Sequence, residues 1–337
     1  MRRAELWEPI SENRVHCRLC RQYCVIPDGE TGLCGVRENR GGVLHSLVYG
    51  KVAALNLDPV EKKPLYHFLP GSQTFSFGTA GCNFSCAFCQ NETLSQTPRN
   101  GGGVPGRSAS PEELVTAALR NQARSISYTY SEPTVFFEFM RDTAAEAQKA
   151  GLKNILVSNG FQSPACLEQL GPLIQAANID LKAFTDKFYK ELCGARLAPV
   201  LENLKTMRGM GWWLEITTLV IPGWNDSPEE LGRIADFIGQ ELGRDTPWHV
   251  SRFHPQFRMA TTPPTPVATL ETALQAGKDA GLRFVYIGNV PGHDADNTYC
   301  RDCGARLLER VGFGVARNDV QDGKCGRCGV AVPGVWK

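Results

Sequence analysis

The sequence predicts an α/β protein built on a parallel sheet, with a small cysteine-rich segment at each end. Between residues 74 and 287, apolar runs typical of strands alternate with segments that carry helix-start signals. Most of the 13 cysteines fall into three local groups, and two of these groups lie outside the alternating region. We therefore expect three parts: an N-terminal cysteine-rich module (1–70), an alternating domain (71–295) and a C-terminal module (296–337).

The strands of the alternating domain are predicted from short apolar and β-branched runs. They lie near 74–78, 125–130, 153–158, 178–182, 213–221, 248–253 and 282–287. Helix starts are marked between them: Ser110 and Ser227 each precede a proline and have a glutamate three residues later, and Ser163 precedes Pro164. Because strands and helices alternate regularly, the strands are expected to pair in parallel through crossover helices.

Composition excludes several classes of protein. The chain has 337 residues, 42% hydrophobic residues and a formal net charge of +1, so nothing indicates a nucleic-acid or membrane-surface partner. No apolar run reaches the length of a membrane helix, and the first residues lack the apolar core of a signal peptide. We expect a cytoplasmic protein, in which clustered cysteines bind metals more often than they form disulfides.

The central cysteine group has the spacing C-x3-C-x2-C and follows the first predicted strand. Cys82, Cys86 and Cys89 offer three thiolates, and the next histidine in the chain is His249. A four-iron cluster takes four cysteines, so three without a near fourth indicate a cluster with one iron left open for chemistry. A structural zinc site and one face of a buried helix are the alternatives, but the flanking Gly81 and Asn83 favour a loop.

This loop resembles the fingerprint of the radical SAM superfamily, C-x3-C-x-aromatic-C, with Phe88 as the aromatic residue. The resemblance implies a [4Fe–4S] cluster held by Cys82, Cys86 and Cys89, with S-adenosylmethionine (SAM) chelating the fourth iron and Phe88 near the adenine. It also implies reductive cleavage of SAM to a 5′-deoxyadenosyl radical that abstracts hydrogen from a substrate. The implied fold is a partial (β/α)6 TIM-like radical SAM barrel with one appended strand and with metal-binding N-terminal and C-terminal appendages, its site at the carboxyl ends of the strands.

Similarity to the enzymes that activate glycyl-radical enzymes implies further SAM contacts at the strand ends. The turn at Glu132 is similar to one that receives the methionine amino group in those relatives. Ser158 and Asn159 match polar contacts to the ribose and methionine end. Asp180 matches a contact to a ribose hydroxyl or to Lys182, and Lys182 a contact to the methionine carboxylate. His254 matches a histidine near the ribose. An ion pair of surface residues is the alternative for Asp180 and Lys182.

The two terminal cysteine groups predict further metal sites. Cys300, Cys303, Cys325 and Cys328 form two C-x2-C pairs, typical of a tetrahedral four-thiolate site that holds zinc or a single rubredoxin-like iron. We expect that site to be structural, with zinc favoured. Cys17, Cys20, Cys24 and Cys34 predict either a second zinc site, of structural character, or an auxiliary iron–sulfur cluster that passes electrons.

Motifs outside the barrel extend the resemblance to essentially the whole chain. Residues 58–71, 288–293 and 333–336, with the two cysteine groups, are similar to the AmmeMemoRadiSam system radical SAM enzymes. This resemblance implies an activating-enzyme-like oxidoreductase whose partners are SAM, an electron donor such as flavodoxin or ferredoxin, and an unidentified substrate, with a protein as one candidate. Radical modification of a small molecule or of a Memo-type partner is the alternative. A non-catalytic iron–sulfur module for redox or metal handling is a third hypothesis.

Overall fold

The N-terminal region of the computed structural model, which describes residues 1–337, consists of short antiparallel strands. They are β1 (Arg2–Arg3), β2 (Trp7–Pro9), β3 (Val15–Cys17), β4 (Val25–Ile26), β5 (Arg37–Arg40), β6 (Val43–Ser46), β7 (Lys51–Val52) and β8 (Ala54–Pro59). Two three-stranded sheets form, in the orders β1-β6-β5 and β2-β3-β4. Val36 and Leu44 belong to the same buried cluster as Phe75 and Phe77 of the next strand, so this region shares its core with the central sheet.

The central sheet has eight strands and carries the predicted alternation. Its parallel strands are β9 (Gln73–Gly78), β11 (Ser125–Tyr128), β12 (Lys153–Ser158), β13 (Ala176–Asp180), β14 (Trp213–Val220), β15 (Trp248–Arg252) and β16 (Val285–Gly288). The short β10 (Arg107–Ser108) pairs with β7 outside this sheet. The order β16-β15-β14-β13-β12-β11-β9-β8 follows the chain, and only β8 pairs antiparallel. All seven predicted strands, and the α/β class, are confirmed.

Eight α-helices connect or follow the strands. They are α1 (Glu92–Ser95), α2 (Pro111–Arg120), α3 (Phe137–Lys149), α4 (Pro164–Leu170), α5 (Asp186–Phe188), α6 (Ala198–Gly209), α7 (Pro228–Phe237) and α8 (Val267–Asp279). Ser110, Ser163 and Ser227 cap α2, α4 and α7 as predicted. Only at Ser110 is the capping box reciprocal. At Ser227, the Glu230 carboxylate instead accepts a hydrogen bond from the Phe184 amide. None of the helices is long and apolar enough to cross a membrane.

The C-terminal region is a separate small β-structure. Its strands are β17 (Thr298–Tyr299), β18 (Arg306–Val311), β19 (Gly314–Asn318), β20 (Val320–Gln321) and β21 (Lys324–Cys325). Its core contains only five buried residues, two of which are cysteines: Cys300, Leu307, Leu308, Cys325 and Val332. A core of this size is too small to be stable without a metal or docking to a larger unit.

A buried polar network docks the C-terminal region onto the end of the sheet opposite the cysteine loop. His67 is fully buried, its Nδ1 lies 2.7 Å from the Pro333 carbonyl, and its Nε2 lies 2.6 Å from the Tyr286 hydroxyl. The Glu215 carboxylate accepts a hydrogen bond from the His67 amide and pairs with His249 at 2.7 Å. A neutral His67 that donates to Pro333 and accepts from Tyr286 satisfies both ring nitrogens.

Protonation of His67 is expected to destabilise the fold in acid. Burial lowers the pKa of His67 to about 4, whereas an unfolded histidine titrates near about 6.5. Above the unfolded pKa both states are neutral. Between the two values only the unfolded chain takes up the proton, so the free energy of unfolding falls as the pH drops. The gap between the two pKa values corresponds to roughly 3 kcal/mol.

Urea unfolding of wild type and His67→Gln between about pH 6.5 and about pH 4 measures this effect. We expect the wild type to lose roughly 3 kcal/mol more than the variant over that range. His254→Gln is the matched control, because His254 is exposed. Equal pH dependence in wild type and His67→Gln would show that His67 does not carry the acid sensitivity.

Candidate active site and cysteine clusters

The three-cysteine loop connects β9 to α1 and is held in place by backbone hydrogen bonds. The Ser85 amide donates to the Cys193 carbonyl at 2.9 Å, and the Ala87 amide donates to the Leu192 carbonyl at 2.8 Å. Gly81 begins the loop at a φ of 96°, and a Cβ there would lie 2.7 Å from Val36. Only glycine suits that position, so the loop is fixed both to the barrel and to the N-terminal region.

The three sulfurs line the same cavity but are not gathered closely around one point. The sulfurs of Cys82, Cys86 and Cys89 do not all lie within 4.8 Å of one another. Thiolates that bind separate corners of an iron–sulfur cube lie further apart than thiolates on a single zinc. The Cys89 sulfur lies 3.2 Å from the Ser95 hydroxyl. The Cys193 thiol contacts the Cys86 sulfur and, with burial opposing, lowers the Cys86 pKa.

The cavity beside this loop has a volume of ≈ 560 Å³, within the usual range for a small-molecule site. Its walls are the cysteine loop and the carboxyl ends of parallel strands, where active sites of barrel folds lie. Six of the seven residues predicted to contact SAM line it: Phe88, Glu132, Ser158, Asn159, Asp180 and Lys182. The cavity therefore brings together residues from four separate stretches of the chain.

Glu132 joins the ends of two neighbouring strands. Its carboxylate accepts hydrogen bonds from the Ser158 hydroxyl at 2.8 Å, from the Asn159 amide at 2.9 Å, and from the amide and hydroxyl of Thr134. Burial raises the pKa of Glu132 and these hydrogen bonds lower it, with a net increase. Oε1 has three donors but Oε2 has only one, so Oε2 can still accept a hydrogen bond from a ligand.

Asp180 and Lys182 form an ion pair inside the cavity. The Lys182 ammonium lies 2.7 Å from Asp180 and 5.7 Å from the centre of the Phe88 ring. Burial lowers the pKa of Lys182, but Asp180 and the Cys86 sulfur raise it, and the net pKa is well above the ordinary value. The ion pair foreseen as an alternative exists, but it lies in the cavity rather than on the outer surface. A permanent positive charge beside a cysteine thiolate and an aromatic ring suits an anionic ligand group.

His254 does not belong to this cavity. β15 ends at Arg252, Phe253 is fully buried in the core, and His254 is exposed and absent from the cavity wall. Adjacent residues of an extended chain face opposite sides, so burial of Phe253 turns His254 outward. Ser251 and Asn289 line this side of the cavity instead. The structure thus gives no contact for the predicted role of His254 near the ribose.

Several wall residues have no motif that marks them in the sequence. Thr217 is a polar residue in the middle of β14, and Ser251 is the next-to-last residue of β15, where strand position could have indicated it. Phe313 comes from the turn between β18 and β19, more than 200 residues from the cysteine loop. It is 51% exposed. Nothing in the sequence indicates that the C-terminal hairpin reaches the cavity mouth.

The C-terminal cysteines meet in the geometry of a four-thiolate site. The four sulfurs of Cys300, Cys303, Cys325 and Cys328 all lie within 4.8 Å of one another. Cys300 and Cys328 are 3.6 Å apart, and Cys303 and Cys325 are 3.8 Å apart. Such spacing fits one tetrahedral ion with metal–sulfur bonds of about 2.3 Å. The structure therefore supports the predicted closed metal site.

Comparisons with known proteins agree with this geometry. The family model described as the Radical SAM superfamily matches residues 77–238. The chain is 46% identical over 331 residues to "Uncharacterized protein MJ0808" of Methanocaldococcus jannaschii, covering 98% of each chain. The chain belongs to the radical SAM superfamily. It is thus an enzyme that uses a [4Fe–4S] cluster and SAM, and the hypothesis of a non-catalytic module is set aside.

More distant radical SAM relatives include activating enzymes. The pyruvate formate-lyase 1-activating enzyme of Escherichia coli is 25% identical over 172 residues, covering 50% of this chain and 69% of the relative. The benzylsuccinate synthase activating enzyme of Thauera aromatica is 24% identical over 209 residues, covering 56% of this chain and 63% of the relative. A radical SAM methyltransferase from Sphaerobacter thermophilus has the same fold, with a TM-score of 0.53, 16% identity and 71% of each chain covered.

The residues present fit the family's cofactors. Cys82, Cys86 and Cys89 would hold the cluster, and all three line the cavity, whose volume would accommodate SAM. When bound, the cluster supplies the electron that cleaves SAM to methionine and a 5′-deoxyadenosyl radical. Glu132 and Lys182 lie in the wall of this cavity, where the chain's own task would be to bind and enclose the ligand while the cofactor supplies the difficult chemistry.

Proposed function

We propose that this radical SAM enzyme abstracts hydrogen from a polypeptide substrate that approaches the cavity between the cysteine loop and the C-terminal hairpin. The observation that carries the proposal is the hairpin tip, where Phe313 lines the cavity and is 51% exposed, and where the nearby Val311 is 72% exposed. Exposed large apolar side chains beside a functional cavity are typical of a protein-binding surface. The distant relatives whose names describe them as activating enzymes support a protein substrate.

Within the cavity, we assign SAM to the residues that the resemblance implied. The methionine end would lie between Glu132, Ser158 and Asn159, with its amino group donating to the free side of the Glu132 Oε2 atom. Lys182 would meet the methionine carboxylate, and Phe88 would pack beside the adenine. The Asp180–Lys182 pair supports this placement, because it supplies one cation and one hydrogen-bond acceptor next to the Phe88 ring.

The size and protease sensitivity of the substrate distinguish a protein from a small molecule. The reconstituted enzyme is given SAM, dithionite and either the protein fraction or the low-mass filtrate of an extract of the source cells, and 5′-deoxyadenosine is measured. We expect the protein fraction to increase product formation and protease treatment of that fraction to remove the increase. Electron paramagnetic resonance of the stimulating protein then detects a stable radical, whereas mass spectrometry detects an added group, as on a Memo-type partner.

Phe313→Ser tests the role of the hairpin tip in the same assay. We expect the ratio of stimulated to unstimulated product formation to fall by about tenfold or more, the usual effect of truncating a central aromatic contact. Leu119→Ser is the matched control, because Leu119 is 48% exposed on the outer helix α2, away from the cavity. Stimulation by the filtrate, resistant to protease, would replace this proposal with the small-molecule alternative.

A further inference from the structure

The N-terminal cysteines converge beside the active-site loop. Cys17, Cys20, Cys24 and Cys34 come from β3 and the loops around β4, and all four line one small pocket. Asn83, the residue after the cluster ligand Cys82, forms part of the same wall. A Cβ on Gly81 would lie 2.9 Å from the Cys34 carbonyl oxygen, so the two cysteine groups are separated by a single layer of backbone.

The spacing of these four sulfurs differs from that of the C-terminal site. No three of them lie within 4.8 Å of one another, whereas all four C-terminal sulfurs do. The active-site cysteines Cys82, Cys86 and Cys89 likewise do not form a group within 4.8 Å. Within this structure, the four C-terminal thiolates, which fit a single ion, lie close together, and the three active-site thiolates, which hold a cluster, do not. The N-terminal thiolates resemble the active-site set in this respect.

The pocket wall also holds two hydrogen-bond donors without a partner. Nε of Arg37 and Nδ2 of Asn83 are buried and make no hydrogen bond, and the two residues are 1% and 2% exposed. An unsatisfied buried N–H group costs about 1–3 kcal/mol. The thiolates of either a zinc site or a cluster can accept such hydrogen bonds, but a cluster adds its sulfides as further acceptors. Two unpaired donors on residues that line one cysteine-lined pocket are therefore better satisfied by a cluster.

We propose that Cys17, Cys20, Cys24 and Cys34 hold a second [4Fe–4S] cluster that relays electrons to the cluster at Cys82, Cys86 and Cys89. One electron enters from a reduced low-potential protein donor of the flavodoxin or ferredoxin type and one leaves to the active-site cluster, without proton transfer. Leu33, next to Cys34, is 59% exposed, and Val25, next to Cys24, is 51% exposed. The second site thus lies near the surface, where a protein donor can approach.

Metal and sulfide analysis of the full-length triple variant Cys82→Ala, Cys86→Ala, Cys89→Ala tests the site without relying on activity. After anaerobic reconstitution with iron and sulfide, we expect about four iron atoms and about four inorganic sulfides per chain to remain. Adding Cys20→Ser should remove them, and adding Cys166→Ala should not, because Cys166 is buried near Cys20 but does not line the pocket. A triple variant that contains zinc at two sites, or iron without sulfide, would overturn the proposal.

A single substitution in the otherwise intact enzyme tests the relay and protects against a variant that fails to fold. Cys24→Ser, at a half-buried position, should lose the second cluster but keep the electron paramagnetic resonance (EPR) signal of the active-site cluster that responds to SAM. Its active-site cluster should be reduced at least about tenfold more slowly than wild type by reduced flavodoxin, and at the wild-type rate by dithionite. Equal rates of reduction of the active-site cluster by flavodoxin in Cys24→Ser and wild type would contradict the relay, even if the wild type contains the second cluster.

Discussion

Replacing Cys82 with alanine is expected to remove the active-site cluster and to reduce 5′-deoxyadenosine formation to the level measured without protein. The loop offers three thiolates to four irons, and Cys82 supplies one of them from the loop fixed by Gly81. With only two protein thiolates left, we expect the cluster to be released. The enzyme then loses its whole rate enhancement, which for enzymes is typically a factor of about a million or more.

The measurement combines the SAM-dependent EPR signal of the reduced protein with product formation under anaerobic conditions. Cys193→Ala is the matched control, because Cys193 is fully buried and contacts the Cys86 sulfur without lining the cavity. It should retain the cluster and change at most its reduction potential, since contacts to the sulfurs tune that potential. If Cys193→Ala lost the EPR signal as completely as Cys82→Ala, Cys193 would be a fourth cysteine ligand and the cluster would have no open iron.

Sequence patterns predicted the parallel sheet because the responsible signals are local. Each strand of the barrel is a short apolar run, and each of the caps Ser110, Ser163 and Ser227 lies within a few residues of the helix that it starts. The edge strand β8 gave no such signal, because its middle residues Asn56 and Leu57 are exposed and its pairing is antiparallel. It joins the central sheet from inside the expected N-terminal module, so a composition change at residue 70 does not mark the edge of the sheet.

The candidate site was predictable where residues follow strands, and unpredictable where distant segments meet. Glu132, Ser158 and Lys182 each follow a strand that ends at the same edge of the sheet, which explains their convergence. His254 follows a strand too, but burial of Phe253 turns it outward, and a one-residue difference of that kind depends on core packing. Phe313 reaches the cavity because the C-terminal region is docked through contacts between residues far apart in the sequence, such as Arg310 and Tyr66.

Arg310, a buried residue of the C-terminal hairpin, makes two of these docking contacts. The Arg310 guanidinium donates to the Tyr66 carbonyl at 2.9 Å and lies 3.9 Å from the centre of the Tyr66 ring. Val335 adds two backbone hydrogen bonds of 2.7 Å, one with Leu69 and one with His67. The C-terminal region is therefore fixed to the barrel through Arg310 and Val335, which lie outside its cysteine site.

Loss of the C-terminal metal is expected to unfold the β-structure of residues 296–337 while the barrel stays folded. The region buries only five residues in its own core, and two of these are metal-site cysteines, so apolar burial cannot compensate. Structural zinc sites contribute on the order of 10 kcal/mol in isolated small domains. We propose that the bound ion is zinc, because closed tetrahedral sites of four thiolates are typical of structural zinc.

Cys303→Ser is the variant that tests this site, with zinc content and limited trypsin digestion as the measurements. We expect loss of about one zinc per chain and rapid cleavage at Arg317 and Lys324, two exposed residues of the unfolded region. Asp302→Asn is the control, because Asp302 is exposed and adjacent to Cys303 but does not belong to the four-cysteine group. Retained metal and an unchanged digest in Cys303→Ser would contradict the four-thiolate site, whereas one iron without sulfide in the wild type would contradict zinc.

Cys303→Ser should also release the hairpin tip that carries Phe313. We therefore expect this variant to lose stimulation by the protein substrate although its SAM-dependent EPR signal remains.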